Sequence, residues 1–588
     1  MYCKRPSLAV LSFAGLWLAG CQQSKPVAEG ITRTAVLRFE NLSGGASEDW
    51  QGRALSELLQ RRFGANQTPR ALSPAPGIST ERLAAINAGA TRLIAGYFTA
   101  SEGSLAVTAF VEDTVTQKLS GPFRATGSIS AVAASLAKQL NALRPLSLNP
   151  DSAALKEYSQ GRDTAGQEAL HHYDLAFQAD PEFGPAYLGA LQTAAAGNDG
   201  PRAQAVLKLA SAHSDKFAAE DRAYLQLESA TLAHDAQGRA QALSALLATD
   251  PRDKEILKTL AEAEMSSHKA AEAASHYRQL AAASPADVNA QNLLAYSALF
   301  AGDEAGARTA ALEYRRLSPQ DPNAFDTQGD VEFGFGHFAE AEKFYLSSPD
   351  QAFQDYSPTW KAAHARYLAG DLPGANAIFE KHRALLALTS APASVYRSAK
   401  WNYSTGHTDE ATTAMAAFAA QSAQPEWRGV GFAQAAIWAL VAKDGTHAAE
   451  WSDQALHPPQ QATFAISALA RFLAQPPTDS AGWEQRAATS FHGSNAPELS
   501  QLALGYALLM RKDFSAAVPV WKRIYESTNV NDMSTAYLYG WTLLETGHRT
   551  EAAPLLKLNP IPPPGLAPTF EAFYLPHLAD WRKSSLRQ

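Results

Sequence analysis

The sequence predicts a mainly α fold: a helical-hairpin solenoid preceded by a small α/β (α+β) domain. Three observations predict it. Ala273, Ala307, Ala341 and Ala375 lie 34 residues apart, and Gly302, Gly336 and Gly370 sit five residues before the last three of them. A fixed period of this length marks a stacked array of helix pairs. The first 145 or so residues lack the period and carry short β-branched runs instead. Of the 588 residues 46% are hydrophobic and 18% charged, the balance of a globular body.

Residues 1–20 read as a targeting segment. Lys4 and Arg5 precede an almost wholly apolar run, Ser7 to Leu18, which is too short to span a bilayer and suits a signal h-region. Leu18-Ala19-Gly20-Cys21 follows and resembles the lipobox of bacterial lipoproteins. The resemblance implies cleavage before Cys21, lipid on its thiol and acylation of the new N-terminus. Each buried lipid methylene contributes about 0.8 kcal/mol, and stable anchoring takes more than one chain. Gln22 stands where an inner-membrane retention signal would favour Asp, so the resemblance points to the outer membrane, facing the periplasm. Residues 21–30 then form a tether. Cys3 and Cys21 are the only cysteines, which excludes a disulfide framework, a zinc knuckle and a cysteine nucleophile in the mature chain. The formal charge is −8, and loss of Lys4 and Arg5 makes it more negative. With no basic patch carrying interleaved aromatics, nucleic-acid binding is not expected.

Residues 31–145 form the α/β module. Thr34 to Phe39 reads as a strand closed by the turn-rich Glu40 to Gly45, and Asp49 to Phe63 as a helix with Trp50, Leu55, Leu58, Leu59 and Phe63 on one side. A second helix is expected over Ser79 to Ala88. Strands follow over Arg92 to Thr99, Leu105 to Asp113 and Lys118 to Ala125, with Gly103 in the first turn between them, and a helix over Ser128 to Leu143. The run Ala35-Val36-Leu37-Arg38-Phe39-Glu40-Asn41-Leu42-Ser43-Gly44 resembles the opening of the TolB-like N-terminal domain, with Arg38 in place of the usual proline. Ala95 to Phe98 and Leu105 to Asp113 resemble that domain's later strands. The resemblance implies an interaction module without an active site. Asn41 to Gly44 lacks the Gly-Lys-Ser/Thr or complete GxGxxG that phosphate binding needs.

Leu143 to Pro150 reads as a linker, and residues 151–560 as the array. Ala169, Tyr173, Ala176 and Pro181 have the spacing of Ala273, Tyr277, Leu280 and Pro285, and of Ala307, Ala311, Tyr314 and Pro319. Positions i, i+4 and i+7 share one helix face, and the proline stops the helix. This resembles the second helix and exit turn of the tetratricopeptide repeat. The first position must be small, because the two helices of the hairpin approach closely there. The first helix has its own small position twelve residues earlier: Ala261, Ala295, Gly329, Ala363, Ala399, Gly505 and Gly540. Gly406 and Gly547 share the inter-helix turn position of Gly302, Gly336 and Gly370, where φ > 0 ends the first helix. The anchors are Ala169, Ala203, Arg239, Ala273, Ala307, Ala341, Ala375, Ala411, Ala449, Ala517 and Ala552. Arg239 breaks the small-residue rule, and residues 452–497 defy phasing. Residues 561–588 are expected to supply a capping helix, Phe570 to Ser585, to cover the last apolar face.

In tetratricopeptide arrays the first helices line a concave groove. The resemblance therefore makes Asn292, Tyr296, Asp326, Asp330, Trp360, His364, Tyr367, Tyr396, Lys400 and Tyr403 the candidate partner-binding residues, with Trp438, Tyr506, Tyr537 and Trp541 further along. The rings either meet a partner or pack between repeats. Asn292, Asp326 and Asp330 are expected to face solvent. No HExxH, GxSxG or SxxK stands in a convincing context, and His171-His172 has no carboxylate at ligand spacing. No catalytic residue, metal site or cofactor is expected. The expected function is a lipid-anchored envelope scaffold or adaptor that binds other proteins or peptides through the groove. The alternative is an accessory or sensory subunit, or an unrecognised enzyme, whose α/β domain binds a small ligand.

Overall fold

The computed structural model describes residues 33–63, 78–87, 90–142 and 150–585, apart from positions 102, 234, 250, 252, 458–460, 478, 492–495, 531 and 564. The signal segment, Cys21, the tether and all but the last residue of the linker lie outside the described residues. The chain forms two compact units, residues 1–172 and 173–588.

In the first unit the strands are β1 (Thr34–Val36), β2 (Glu40–Asn41), β3 (Arg92–Ser101), β4 (Ser104–Asp113) and β5 (Leu119–Gly127). The sheet order is β1-β3-β4-β5, with β1 and β2 both parallel to β3 and the rest antiparallel. The expected strand over Thr34 to Phe39 is thus split, and the second piece lies inside what reads as a turn. The reason is packing: Phe39 is driven into the core between Gly52 and Gly96, where an added Cβ would come within 2.1 Å of a backbone oxygen at either glycine. Helices α1 (Trp50–Gln60), α2 (Ile78–Asn87) and α3 (Ile129–Gln139) complete the module. Leu55, Leu58 and Leu59 of α1 are buried, as its periodicity predicts.

Helix α4 (Ser152–Asp163) packs on α1. A chain of ion pairs, buried at Arg53 and Glu81, holds it there. Arg53, 6% exposed, pairs with Glu81 and, at 2.8 Å, with Asp163, and Arg38 reaches Asp163 at 3.1 Å. Arg162 lies 3.3 Å from Glu57. Arg38 therefore has a structural role.

After α5 (Gly166–Ala179) the array continues as hairpins. These are α6–α7 (Gly184–Ala196, Gly200–Ser211), α8–α9 (Ala219–Leu232, Ala236–Thr249), α10–α11 (Lys254–Ser266, Ala270–Ala283) and α12–α13 (Val288–Ala301, Glu304–Leu317). Next come α14–α15 (Pro322–Phe335, Phe338–Leu346), α16–α17 (Phe353–Leu368, Leu372–Thr389), α18–α19 (Ala391–Ser404, Thr408–Gln421) and α20–α21 (Pro425–Val441, Gly445–Leu456). The last are α22–α23 (Gln461–Ala474, Ser480–Ser490), α24–α25 (Ala496–Met510, Phe514–Ser527) and α26–α27 (Met533–Glu545, Arg549–Leu555), followed by α28 (Leu575–Ser585). This is a tetratricopeptide-type helical-hairpin solenoid. The first turn of α16 is left-handed at Gln354, Asp355 and Tyr356. No helix among the described residues is long and apolar enough to cross a membrane.

The small positions work as the spacing requires. Ala261, Ala273, Ala295, Ala307, Ala363 and Ala375 are fully buried. At Gly329 an added Cβ would fall 2.3 Å from the Tyr345 ring, and at Gly505 2.9 Å from Trp521. Three readings of the register change. The anchor of α21 is Ala448, 0% exposed, because Asp444 caps that helix by accepting from His447 N–H at 3.1 Å; Ala449 points partly outward. Arg239 is exposed, and Ala242 and Leu243 take the buried place in α9. Residues 452–497 do contain a hairpin, α22–α23, closed by Phe472 against Trp483 at 4.6 Å.

The array from α10 to α26 curls until its ends meet. Val530 N–H donates to Met265 O at 3.2 Å, and the His268 and Tyr525 rings lie 3.8 Å apart. The expected cap is present as α28, with Trp581 stacked on Trp541 at 5.2 Å. The chain between α27 and α28 is no simple connector. Its described residues 557–563 and 565–570 form a proline-rich strap that runs along the first helices of the hairpins.

Candidate functional site

The first helices present two polar centres. The first joins α12, α14, α15 and α16. Lys361 Nζ lies 2.8 Å from Asp326 Oδ2 and 2.8 Å from Asp330 Oδ1. Tyr296 and Tyr345 donate their hydroxyls to Asp330 at 2.9 and 2.8 Å. Thr327 donates to Asn292 Oδ1 at 2.9 Å. Asp326, Asp330, Tyr345 and Lys361 are all buried, so the expectation that Asp326 and Asp330 face solvent is corrected. Buried carboxylates need a cation, and Lys361 supplies it from the next hairpin. Asn292 and Tyr296 are half-buried. Burial, with repulsion from Asp330, pushes the Asp326 carboxyl up to about 6 against the pull of Lys361. Burial and the Asp330 charge hold the Tyr296 and Tyr345 hydroxyls far above the usual tyrosine range. Burial works against the Lys361 ammonium, but the two carboxylates prevail and raise its pKa.

The second centre joins α16, α18 and α20. Trp360 is buried under the Arg397 guanidinium, 4.2 Å from its ring. His364 Nδ1 donates to Trp360 O at 3.0 Å, and burial lowers its pKa to about 4. Tyr367 is half-buried, 6.2 Å from Trp401. Tyr396 is buried and donates to Gln434 Oε1 at 3.4 Å. Tyr403 stacks on Trp438 at 4.2 Å. Trp360, Tyr396 and Tyr403 thus pack between hairpins. Lys400 is buried as well, and burial, with Arg397 nearby, lowers its pKa to about 8 against the opposing Glu571 charge.

The strap lies on these surfaces. Lys557 Nζ donates to Gly302 O at 3.2 Å, and Asn559 N–H to Gly334 O at 2.8 Å. Tyr537 donates to Leu558 O at 2.7 Å. Arg397 donates to Gly565 O at 2.9 Å, and Lys400 to Thr569 Oγ1 at 3.1 Å. Gln434 grips Thr569 from both sides: its Oε1 accepts from Thr569 N–H at 3.0 Å and its Nε2 donates to Thr569 O at 3.2 Å. Pro562 and Pro568 are buried, and Phe570 stacks on Tyr506 at 4.8 Å. Of the ten candidate residues, Lys400 touches the strap directly, and Tyr396 does so through Gln434.

Lys361, Tyr345, Arg397 and Gln434 escaped the sequence reading. A signal existed for part of them: Tyr296 and Asp330 are 34 residues apart, and Asn292–Thr327 and Asp326–Lys361 are 35 apart. Facing first helices meet one period on, so polar residues one period apart are candidate pairs. A cleft of about 380 Å³ on α17–α19, lined by Asn376, Phe379, Trp401 and His407 among others, lies apart from the strap contacts. Among the described residues no group of three or more His, Cys, Asp or Glu is placed to hold a metal.

Fold and site together define a helical-repeat scaffold whose first helices embrace an extended peptide segment. No protein-family model and no curated protein matches the sequence. Among solved structures the chain is similar to a tetratricopeptide protein of Parabacteroides merdae (12% identity over 44% of this chain and 98% of that one, TM-score 0.30). It is also similar to YrrB, described as a TPR protein with an unusual peptide-binding site (16% identity, 27% and 80% coverage, TM-score 0.23). A third is pilF of Pseudomonas aeruginosa (13% identity, 35% and 92% coverage, TM-score 0.24).

Proposed function

We propose that the protein is a non-catalytic scaffold that binds extended segments of partner proteins on the first-helix surface of its array. One observation carries the reading. Gln434, Arg397 and Lys400 direct their hydrogen-bonding groups at the backbone and hydroxyl of an unstructured segment, as a peptide receptor must. The leader, Leu18-Ala19-Gly20-Cys21 and Gln22 support a lipid anchor at Cys21 and an outer-membrane, periplasm-facing location. The Ala35 to Gly44 motif supports a TolB-like interaction module ahead of the array.

Photo-crosslinking tests the binding surface. A photoreactive residue at Asn289 or Tyr367, on first helices, is expected to capture a protein partner in envelope membranes. The same group at exposed Leu312, on a second helix, is not. Adducts from Leu312 with none from Asn289 or Tyr367 would show that the partner uses the other face. Fractionation of Cys21→Ser tests the anchor: the variant is expected to leave the membrane fraction, and retention there refutes lipidation at this residue.

A further inference from the structure

The strap joins two folded elements, yet among its described residues from Leu558 to Phe570 none is in a helix or strand. Its prolines at 560, 562, 563, 564 and 568 remove backbone donors and favour an extended chain. It therefore cannot hold itself in place, and its position is set by what the array offers. Gln434 is 0% exposed, Arg397 1% and Lys400 6%. Such polar side chains are rarely buried without partners, and here their hydrogen bonds run to Gly565 and Thr569. Gln434 takes both the N–H and the C=O of one residue, as a neighbouring β-strand would, and so reads backbone without regard to side chain. Lys400 adds a preference for a hydroxyl at that residue, and Tyr506 adds a ring-stacking place for the next one, Phe570. The charge of Glu571 is felt by both Arg397 and Lys400, so an acid after the ring is favoured. The sub-site is built for a segment of the form Pro–hydroxyl–aromatic–acid whose chain turns at the ring: the strap supplies Pro568-Thr569-Phe570-Glu571, with Phe570 at φ −87°, ψ 13° leading into a 3-10 turn over Glu571–Phe573.

We propose that the strap, with the turn at Glu571 that ends it, is a resident pseudo-ligand, and that the Arg397–Lys400–Gln434 sub-site takes, in trans, a proline-rich segment of another protein with that same ending once the strap lifts away. This inference rests on the scaffold reading above. The helix α28 holds its own place through Trp581 on Trp541 and His577 on Trp541, so the strap can leave while the last hairpin stays capped. A tethered segment competes at an effective concentration of about millimolar. A free peptide of identical sequence therefore binds the intact chain weakly and binds a strap-loosened chain far more tightly.

The test uses the full chain and a fluorescent peptide with the sequence of residues 557–573. Thr569→Pro with Phe570→Ala removes the N–H that Gln434 accepts and the ring on Tyr506. This double variant is expected to bind the peptide at least about tenfold more tightly than the wild-type chain, and adding Gln434→Ala is expected to abolish the gain. Equal affinity for wild type and variant, or no binding to a folded variant, overturns the proposal. Should the variant fail to fold, amide exchange in the wild-type chain decides. Saturating peptide is expected to speed exchange at Thr569 while leaving the α18 and α20 amides unchanged, and unchanged exchange at Thr569 overturns the proposal. A partner crosslinked at Asn289 or Tyr367 together with a peptide that does not bind would retain the scaffold and remove only the strap's role.

Discussion

Among the described residues, nine hairpin turns in the array place a residue in the left-handed region, five before the anchor. Gly302, Gly336, Gly370, Gly406 and Gly547 fill five of them, while Asn198, His268, Lys443 and Lys512 take φ between 54 and 63. A lysine there costs roughly 1 kcal/mol that glycine does not. Lys443→Gly and Lys512→Gly are each expected to stabilise the chain by about that amount, read as a rise in melting temperature; a fall would mean the lysine side chains make contacts that outweigh the strain. The buried Asp326 makes a second residue-scale prediction. Its carboxyl is held at about 6 in the fold, against about 3.9 in an unfolded chain. The folded state thus binds the extra proton, and the resulting stability is full below pH 4 and lost as the pH rises through 6. Relative to Asp326→Asn, wild type is expected to lose stability between pH 4 and pH 7, and a flat difference contradicts the assignment. Lys361→Met, which strands two buried carboxylates, is expected to destabilise by about 3–5 kcal/mol in thermal or urea unfolding.

Among the elements, those with strong local chemistry were readable in advance. The strands β3 to β5, helices α1 and α3, the glycine turns and most anchors stand where spacing and composition put them. Where the sequence pattern and the structure part, the physical reasons differ, and the first is that apolar spacing takes no account of caps. Asp253, Asp287 and Asp321 lie 34 apart and cap α10, α12 and α14, each accepting from the backbone N–H two residues on. Asp444 does the same work for α21 and would have set its anchor at Ala448. The α22–α23 hairpin was invisible because its contact is made by Phe472 and Trp483 instead of small residues. Of the first-helix positions that the spacing offers as a groove, Trp360, Tyr396 and Tyr403 pack between hairpins, since burial depends on the neighbouring hairpin and not on the helix's own sequence. The charge chain from Arg38 through Asp163 is likewise a property of two elements distant in sequence. Asp163→Ala leaves Arg53 and Arg38 without a shared acceptor, and is expected to cost the first unit about 1–3 kcal/mol, measured as a lower melting temperature of that unit; an unchanged melt would show that α4 docks through apolar contact alone.

At the scale of the repeat unit, local chemistry accounts for the hairpins but not for the closure of α10–α11 on α25–α26 or for the strap along the first helices. Both contacts join residues more than 130 positions apart, such as Val530 with Met265 and Gln434 with Thr569, and no periodicity encodes them. The proline-rich run was in plain view as composition; what it lies against was not. The central claim is that the array's recognition surface is occupied by its own strap. Amide hydrogen exchange across residues 557–573 tests it most directly. Asn559 N–H is bonded to Gly334 O at 2.8 Å and Thr569 N–H to Gln434 Oε1 at 3.0 Å. In the wild-type chain both are expected to exchange more slowly than an unstructured peptide of the same sequence by about a hundredfold or more, through an opening that spares the core of the array. Exchange of both at the unstructured rate would contradict the account.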